Sequence, residues 1–173
     1  MSLKPTPRYL DVWLHDQHIG WLCDAGGATR FLASENYIAD RRRPTLSMSM
    51  TMPRADWLTQ KVLGNHFDPA VYREHGELPP FFAGLLPEGP LKRRLAATRH
   101  NGIDMDDFGI LAAAGEDLPG ALKLIPANLD QLTLAAKTYG VTGGVDELMV
   151  TAPEGSIPGG ASLSGMQNKL AMT

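Results

Sequence analysis

The run Arg8-Tyr9-Leu10-Asp11-Val12-Trp13-Leu14 alternates, with Leu10, Val12 and Leu14 on one side, which is the period of a half-buried strand. A polar turn at Asp16-Gln17 leads into a second run, His18–Cys23. Asp24-Ala25-Gly26-Gly27 then offers the permissive backbone of a tight connection to Thr29–Ala33. Runs joined this closely predict an antiparallel meander, so the fold is organised on a sheet. Ser34 is positioned to cap a short helical turn through Asn36-Tyr37-Ile38-Ala39.

Further along, Thr45-Leu46-Ser47-Met48-Ser49-Met50-Thr51-Met52 is the cleanest alternation in the chain. It predicts a strand with Leu46, Met48, Met50 and Met52 on a core face, ended by Pro53. Residues 54–78 have an apolar patch at Trp57-Leu58 and no clear period. From Pro79 the spacing turns helical. Phe81, Phe82, Leu85 and Leu86 share a face, Pro87 ends that segment, and Gly89-Pro90 restarts a helix through Leu91–Arg99. Asp104 or Asp106 can cap a third helix carrying Phe108, Ile110, Leu111 and Ala114, which stops at Gly115. Ala121–Ile125 reads as a strand closed by Pro126. Residues 127–139 read as a weak helix or connector, and glycine and proline accumulate from Gly140. Ala161-Ser162-Leu163-Ser164 then opens another strand that turns at Gly165. The expected fold class is α+β: a small antiparallel, barrel-like domain with packed helices over residues 1–126, a linker over 127–160, and a hairpin over 161–173.

A hydrophobic fraction of 43% and a charged fraction of 20% place these 173 residues among soluble globular chains, with room for one domain and part of a second. The net charge of −3 makes no case for nucleic-acid binding, and Arg41-Arg42-Arg43 and Lys92-Arg93-Arg94 read as solvated surface. Cys23 is the single cysteine, so no internal disulfide forms. In the run Ile19–Cys23 it suits a buried apolar role better than a nucleophile. Pro5, Pro7 and Asp11 interrupt any signal-peptide core, and the apolar stretches near 81–86 and 108–114 are too short to span a bilayer. The expected location is the cytoplasm, with no membrane partner.

No metal site is expected. His15 and His18 lie three apart in a strand–turn context, and His66, His75 and His100 are scattered. The carboxylate pairs Asp106-Asp107 and Glu116-Asp117 sit beside expected helix ends, where capping is their ordinary use. No glycine-flanked nucleophile elbow occurs. The glycine-rich end is not a Walker A loop, because Met166 follows Gly165 where a lysine belongs, and nothing matches G-x-G-x-x-G. What remains is Ser162-Leu163-Ser164-Gly165-Met166-Gln167-Asn168-Lys169-Leu170, a strand–turn–strand with small residues at its bend. By itself this fits either an ordinary hairpin or a loop whose amides approach phosphate oxygens.

Pro44–Pro53, Phe81–Gly89, Gly115–Leu122 and Ser162–Leu170, in that order, resemble the HipA toxin family. That family shows a Pro-Leu-Ser-x-Ser-hydrophobic-Pro strand, a Phe-Phe-x-x-Leu-Leu-Pro-Glu/Asp segment, a Gly-x-Asp-x-x-Gly-Ala strand entry and a Ser-hydrophobic-Ala/Ser-Gly-x-Gln-x-Lys loop. Residues 54–78 and 126–158 contribute no motif. The resemblance implies a bacterial serine/threonine kinase toxin, with a small β-rich N-terminal domain joined to a kinase-like body whose first hairpin is 161–173. It implies that Ser162 is an inactivating autophosphorylation site, and that Ser164, Gly165, Met166, Gln167, Asn168 and Lys169 cover ATP. It also implies ATP and Mg²⁺ as cofactors of the full-length protein, and a glutamyl-tRNA synthetase as target, whose phosphorylation stalls translation and favours persistence. The implied partner is a helix-turn-helix antitoxin of the HipB type that binds operator DNA.

A kinase of this kind needs a catalytic aspartate, an aspartate and an asparagine for Mg²⁺, and a lysine for the phosphates. In the family these lie well beyond the glycine loop, so the expectation is an N-terminal fragment without catalytic residues. His66-Phe67-Asp68 superficially resembles a catalytic loop, but it precedes the glycine loop and lacks the following asparagine. The alternative is a free-standing binding protein. A tripartite form of the system encodes the N-terminal region separately, as an antitoxin against a shortened kinase, and such a protein is expected to end near residue 126. The presence of Ser162–Lys169 favours the fragment.

Overall fold

The computed structural model describes residues 8–25, 27–90, 92–94 and 106–127. The glycine-rich hairpin, nearly all of the linker, and Leu91 and residues 95–99 of the second expected helix lie outside these residues.

Strands β1 (Arg8–Leu14), β2 (Gln17–Ala25) and β3 (Ala28–Ala33) form the expected meander. Leu10 sits opposite Leu22, and Leu22 opposite Phe31, with a bulge between Val12 and Trp13. β4 (Tyr72–Arg73) adds to β3 and β5 (Leu122–Pro126) adds to β1, giving an antiparallel sheet in the order β4-β3-β2-β1-β5. The barrel-like closure expected from sequence is not found among the described residues. Closure requires the two edge strands to pair, and both edges are unsuited to it. β4 has only two residues. On β5 the Leu124 N–H donates outward to Gly115 O at 3.1 Å, and Pro126 has no N–H to offer.

One face of the sheet carries Leu10, Val12, Leu14, Leu22 and Phe31 into the main core. The other carries Trp21, Cys23, Ala25, Ala28 and Leu32 into a second apolar cluster with Tyr9 and Tyr72. β3 is therefore buried along its whole length. Gly20 permits the close approach of β2 to β3: a Cβ there would stand 2.1 Å from Leu32 O.

Helix α1 (Glu35–Ala39) starts as expected, with Ser34 Oγ accepting from Tyr37 N at 3.3 Å. Tyr37 is fully buried and its hydroxyl donates to Pro44 O at 2.7 Å. Helix α2 (Asp56–Gly64) occupies the stretch without a clear period. Its buried positions are Thr59 and Leu63, while Trp57 stays outside and Ala55 supplies no side-chain cap, so neither pattern nor cap announced it. Helix α3 (Pro80–Ala83) is shorter than the expected Phe81–Leu86 segment, with i→i−3 turns carrying Leu85 and Leu86 onto the core. Residues 89–90 and 92–94 are helical, as the Gly89-Pro90 restart suggested. Helix α4 (Asp107–Ala114) is capped by Asp106 and stops at Gly115 in a positive-φ conformation, φ 55°.

The expected strand over 45–52 is a loop instead. Thr51 Oγ1 accepts from Leu46 N at 3.1 Å and donates to Ser47 O at 3.0 Å, and Ser49 N donates to Ser47 Oγ at 3.3 Å. These hydroxyls take the backbone groups that a ladder would need. Of the four residues expected on the core face only Leu46 and Met50 are buried, four residues apart, while Met48 is 67% exposed. The true spacing is that of a turn, and the methionine stripe is not one face.

Candidate functional site

The site residues expected from sequence, Ser162 and Ser164 through Lys169, lie outside the described residues. The other chemistry-bearing groups are within them, and most are engaged in the fold. Asp106 accepts from Gly109 N at 2.8 Å and from Arg8 Nη1 at 2.9 Å, and Asp107 pairs with Lys92, so this carboxylate pair caps and fastens α4. In the His66-Phe67-Asp68 triplet, Asp68 Oδ1 accepts from Ala70 N at 2.9 Å and Phe67 packs edge-on against Tyr72. Cys23 is buried and its thiol is pushed well above the ordinary range by desolvation, which makes it inert as a nucleophile. Among the described residues no group of three His, Cys, Asp or Glu could hold a metal ion.

Among the described residues Arg30 is the largest fully buried side chain. Its guanidinium lies 4.5 Å from the Phe67 ring centroid and 4.9 Å from that of Tyr72. Desolvation lowers its pKa, with the Tyr72 and Cys23 neighbourhood opposing. This stack closes the β4 edge of the sheet and makes Arg30 a structural cation.

Within the sheet, the bulged β1–β2 hairpin brings Asp11, Trp13, His18 and Trp21 together near its turn. His18 lies between the two indoles, at 5.2 and 4.8 Å between ring centroids, and its Nε2 is 3.4 Å from Asp11 Oδ1. A carboxylate beside an imidazole is the orienting half of a catalytic triad. His18 Nε2, the nitrogen that faces Asp11, is buried and makes no hydrogen bond among the described residues, so the pair lacks the imidazole–carboxylate hydrogen bond that a triad requires. Next to it a cleft of about 280 Å³ is lined by Trp13, His15, Asp16, Glu116, Lys123 and Ile125. His15 turns the corner at φ 54°, with its N–H on Ala121 O at 2.8 Å. With both signs of charge and a volume below that of ordinary cofactor pockets, this cleft suits a small polar group rather than a nucleotide.

Two large apolar side chains stand in solvent among the described residues, Met48 at 67% and Trp57 at 68% exposure. Sequence reading noted the Trp57-Leu58 patch but not that Trp57 points outward. The available signal was Asp56 beside it, an acidic first-turn residue that marks a helix start.

The described residues thus define a small α+β domain whose polar groups mainly hold the fold. Residues 10–125 match the family described as the HipA N-terminal domain, and the chain belongs to that family. It is 36% identical over 128 residues to "Putative kinase Y4dM" of Sinorhizobium fredii (strain NBRC 101917 / NGR234), covering 73% of this chain and 28% of that protein. It is 31% identical over 129 residues to "Putative kinase Y4mE" of the same strain, covering 73% of this chain and 26% of the relative. The chain therefore matches only about a quarter of the length of these relatives.

Proposed function

We propose that residues 1–126 form the non-catalytic N-terminal module of a HipA-type serine/threonine kinase toxin, with the phosphoryl-transfer chemistry carried by sequence from Ser162 onward. The observation that carries this reading is the engagement of Asp68, Asp106, Asp107 and Arg30 in caps, ion pairs and stacking, across the span that matches the family. The kinase names of the relatives support it. On this reading Ser164 through Lys169 cover ATP·Mg²⁺ and Ser162 is the autophosphorylated switch. A phosphate at Ser162 adds nearly two negative charges, which repel the phosphates of ATP. The substrate is a tRNA synthetase, and a helix-turn-helix antitoxin on operator DNA is the partner, all in the cytoplasm.

The test is mass spectrometry after incubation with ATP and Mg²⁺. Chain 1–173 alone should neither turn over ATP nor acquire phosphate, whereas the protein extended by a kinase body should acquire it on Ser162. Metal-dependent turnover by pure 1–173, or phosphate mapping elsewhere in the extended protein, overturns the reading.

The exposed Trp57 and Met48 favour a second reading, in which this domain is a binding subunit that neutralises a separate, shortened kinase. Adding 1–173 in trans to such a kinase distinguishes the two, because only a binding subunit lowers its activity.

A further inference from the structure

The loop between α1 and α2 encloses a cleft of about 250 Å³, distinct from the one at the β1–β5 end of the sheet. Arg41, Arg42, Arg43, Thr45, Thr51 and Asp56 line it. These groups fall into two sets. Arg43 is committed to the fold: Nη1 donates to Ile38 O at 2.6 Å and Asp40 O at 2.7 Å, and Nη2 pairs with Asp56. Thr51 is committed to the Leu46–Ser47 turn, and the Asp56 carboxylate is shared between Arg43 and Gln60. By contrast, Arg41 and Arg42 are exposed, and among the described residues neither guanidinium has a hydrogen-bond or ion-pair partner; nor does the Thr45 hydroxyl.

We propose that this cleft binds a phosphate monoester dianion. The lining residues carry three guanidinium groups and one carboxylate, and that carboxylate is already neutralised by Arg43. The surplus is two positive charges, matched by a dianion and only half matched by a carboxylate. The segment from Asp40 to Lys61 holds five basic and two acidic side chains in a chain whose overall charge is −3, so the positive field is local. The first turn of α2, which Ala55 leaves without a side-chain cap, borders the same cleft and adds its dipole in the favourable sense. The space holds a group of several heavy atoms, since a water occupies about 30 Å³. It is too small for a nucleotide, so the ligand enters by its phosphate alone. That phosphate belongs either to a phosphorylated serine or threonine of a protein or to a small phosphorylated metabolite.

The experiment is an NMR titration of ¹⁵N-labelled chain 1–173, following Thr45, Thr51 and the arginine Nε–H signals. The probes are a phosphoserine tripeptide, its unphosphorylated form, inorganic phosphate and acetate. Saturable shifts with the two phosphate probes and not the other two are expected. Arg41→Gln/Arg42→Gln should weaken binding about tenfold or more, as for loss of charge-assisted hydrogen bonds, with an unchanged melting temperature. Affinity should fall as pH drops below about 6, where the ester loses its second charge. Tighter binding of the peptide than of inorganic phosphate assigns the site to a phosphorylated protein, and equal binding assigns it to small phosphates. Absence of saturable shifts, acetate binding as well as phosphate, or equal binding by the double variant overturns the proposal.

Discussion

Arg8 and Asp106 lie 98 residues apart and meet in a bidentate pair: Arg8 Nη1 donates to Asp106 Oδ1 at 2.9 Å and Nη2 to Oδ2 at 2.5 Å, while Oδ1 also accepts from Gly109 N at 2.8 Å. One side chain therefore caps α4 and fastens it to the first residue of β1. Arg8 also donates from Nε to Asp24 Oδ2 at 2.8 Å and lies 4.6 Å from the Phe108 ring centroid, so the sheet, the cap and the core meet at this point.

The Arg8 hydrogen bond holds the Asp106 carboxyl below its ordinary range, with burial opposing. A group whose folded pKa is depressed contributes stability that is present above about pH 4 and lost as pH falls through the folded value. Asp106→Ala should destabilise by about 1–2 kcal/mol at neutral pH, mostly through the lost cap. Urea denaturation of wild type and variant at pH 7 and pH 3 checks this, since the difference should shrink at pH 3. A difference independent of pH would refute the assignment.

Gly20→Ala should be among the most damaging single-methyl additions to the sheet. The new carbon would stand 2.1 Å from Leu32 O and 2.8 Å from Ala33 Cα, both backbone atoms of the paired strand, at φ 151°. A loss of about 2–4 kcal/mol is expected. Gly27, at φ 85° with nothing within 4 Å, is the control and should lose only about 1 kcal/mol from backbone strain. Equal losses in denaturant melts would show that strand approach does not set the requirement at Gly20.

The 45–52 loop is held by Thr51, so Thr51→Val removes the acceptor of Leu46 N and the donor to Ser47 O in nearly the same volume. A loss of about 2–3 kcal/mol is expected, against about 1–2 kcal/mol for Tyr37→Phe, which removes one donor from Pro44 O. Hydrogen exchange at Leu46 N should quicken more in the threonine variant than in Tyr37→Phe; the Tyr37 hydroxyl also interacts with the Leu46 backbone and the Thr51 side chain. Unchanged exchange there would mean that Thr51 does not organise the loop.

These contacts explain which parts of the fold could be read in advance. The meander followed from the alternation at Leu10, Val12 and Leu14, and α1 and α4 followed from Ser34 and Asp106, because strand period and capping are local. The error at Thr45–Met52 came from treating alternation as sufficient when the alternate residues were serines and threonines able to capture the backbone themselves. Helix α2 was hidden because its buried face uses Thr59 and its outer face carries Trp57. The β1–β5 cleft joins Trp13 and Asp16 to Glu116 and Lys123, a juxtaposition set by long-range pairing of β1 with β5 that no local pattern encodes.

His66 offers a second pH readout. Burial, and then the positive charge of Arg30, lower its pKa. Its neutral form is favoured in the fold, so its contribution is full above about pH 6.5 and is lost as pH falls through the folded value. In wild type, stability should decline between pH 6.5 and pH 5, and His66→Asn should flatten that decline. An identical slope in both proteins removes His66 as its source.

Trp57 separates folding from recognition. At 68% exposure its indole gives the fold little, so Trp57→Ala should change stability by no more than about 0.5 kcal/mol. A tryptophan held in water on a domain that exposes a second large apolar residue, Met48 at 67%, has the character of an interface anchor. If the binding-subunit reading holds, truncating it should cost about 2 kcal/mol or more of association with the separate kinase, roughly thirtyfold in Kd. Calorimetric titration of the kinase with wild type and Trp57→Ala, alongside their melting curves, measures both quantities on the same proteins. Weakened binding with unchanged melting supports an interface at α2. Loss of stability in step with binding would instead make Trp57 a folding residue, and unchanged binding would move the interface elsewhere on the domain.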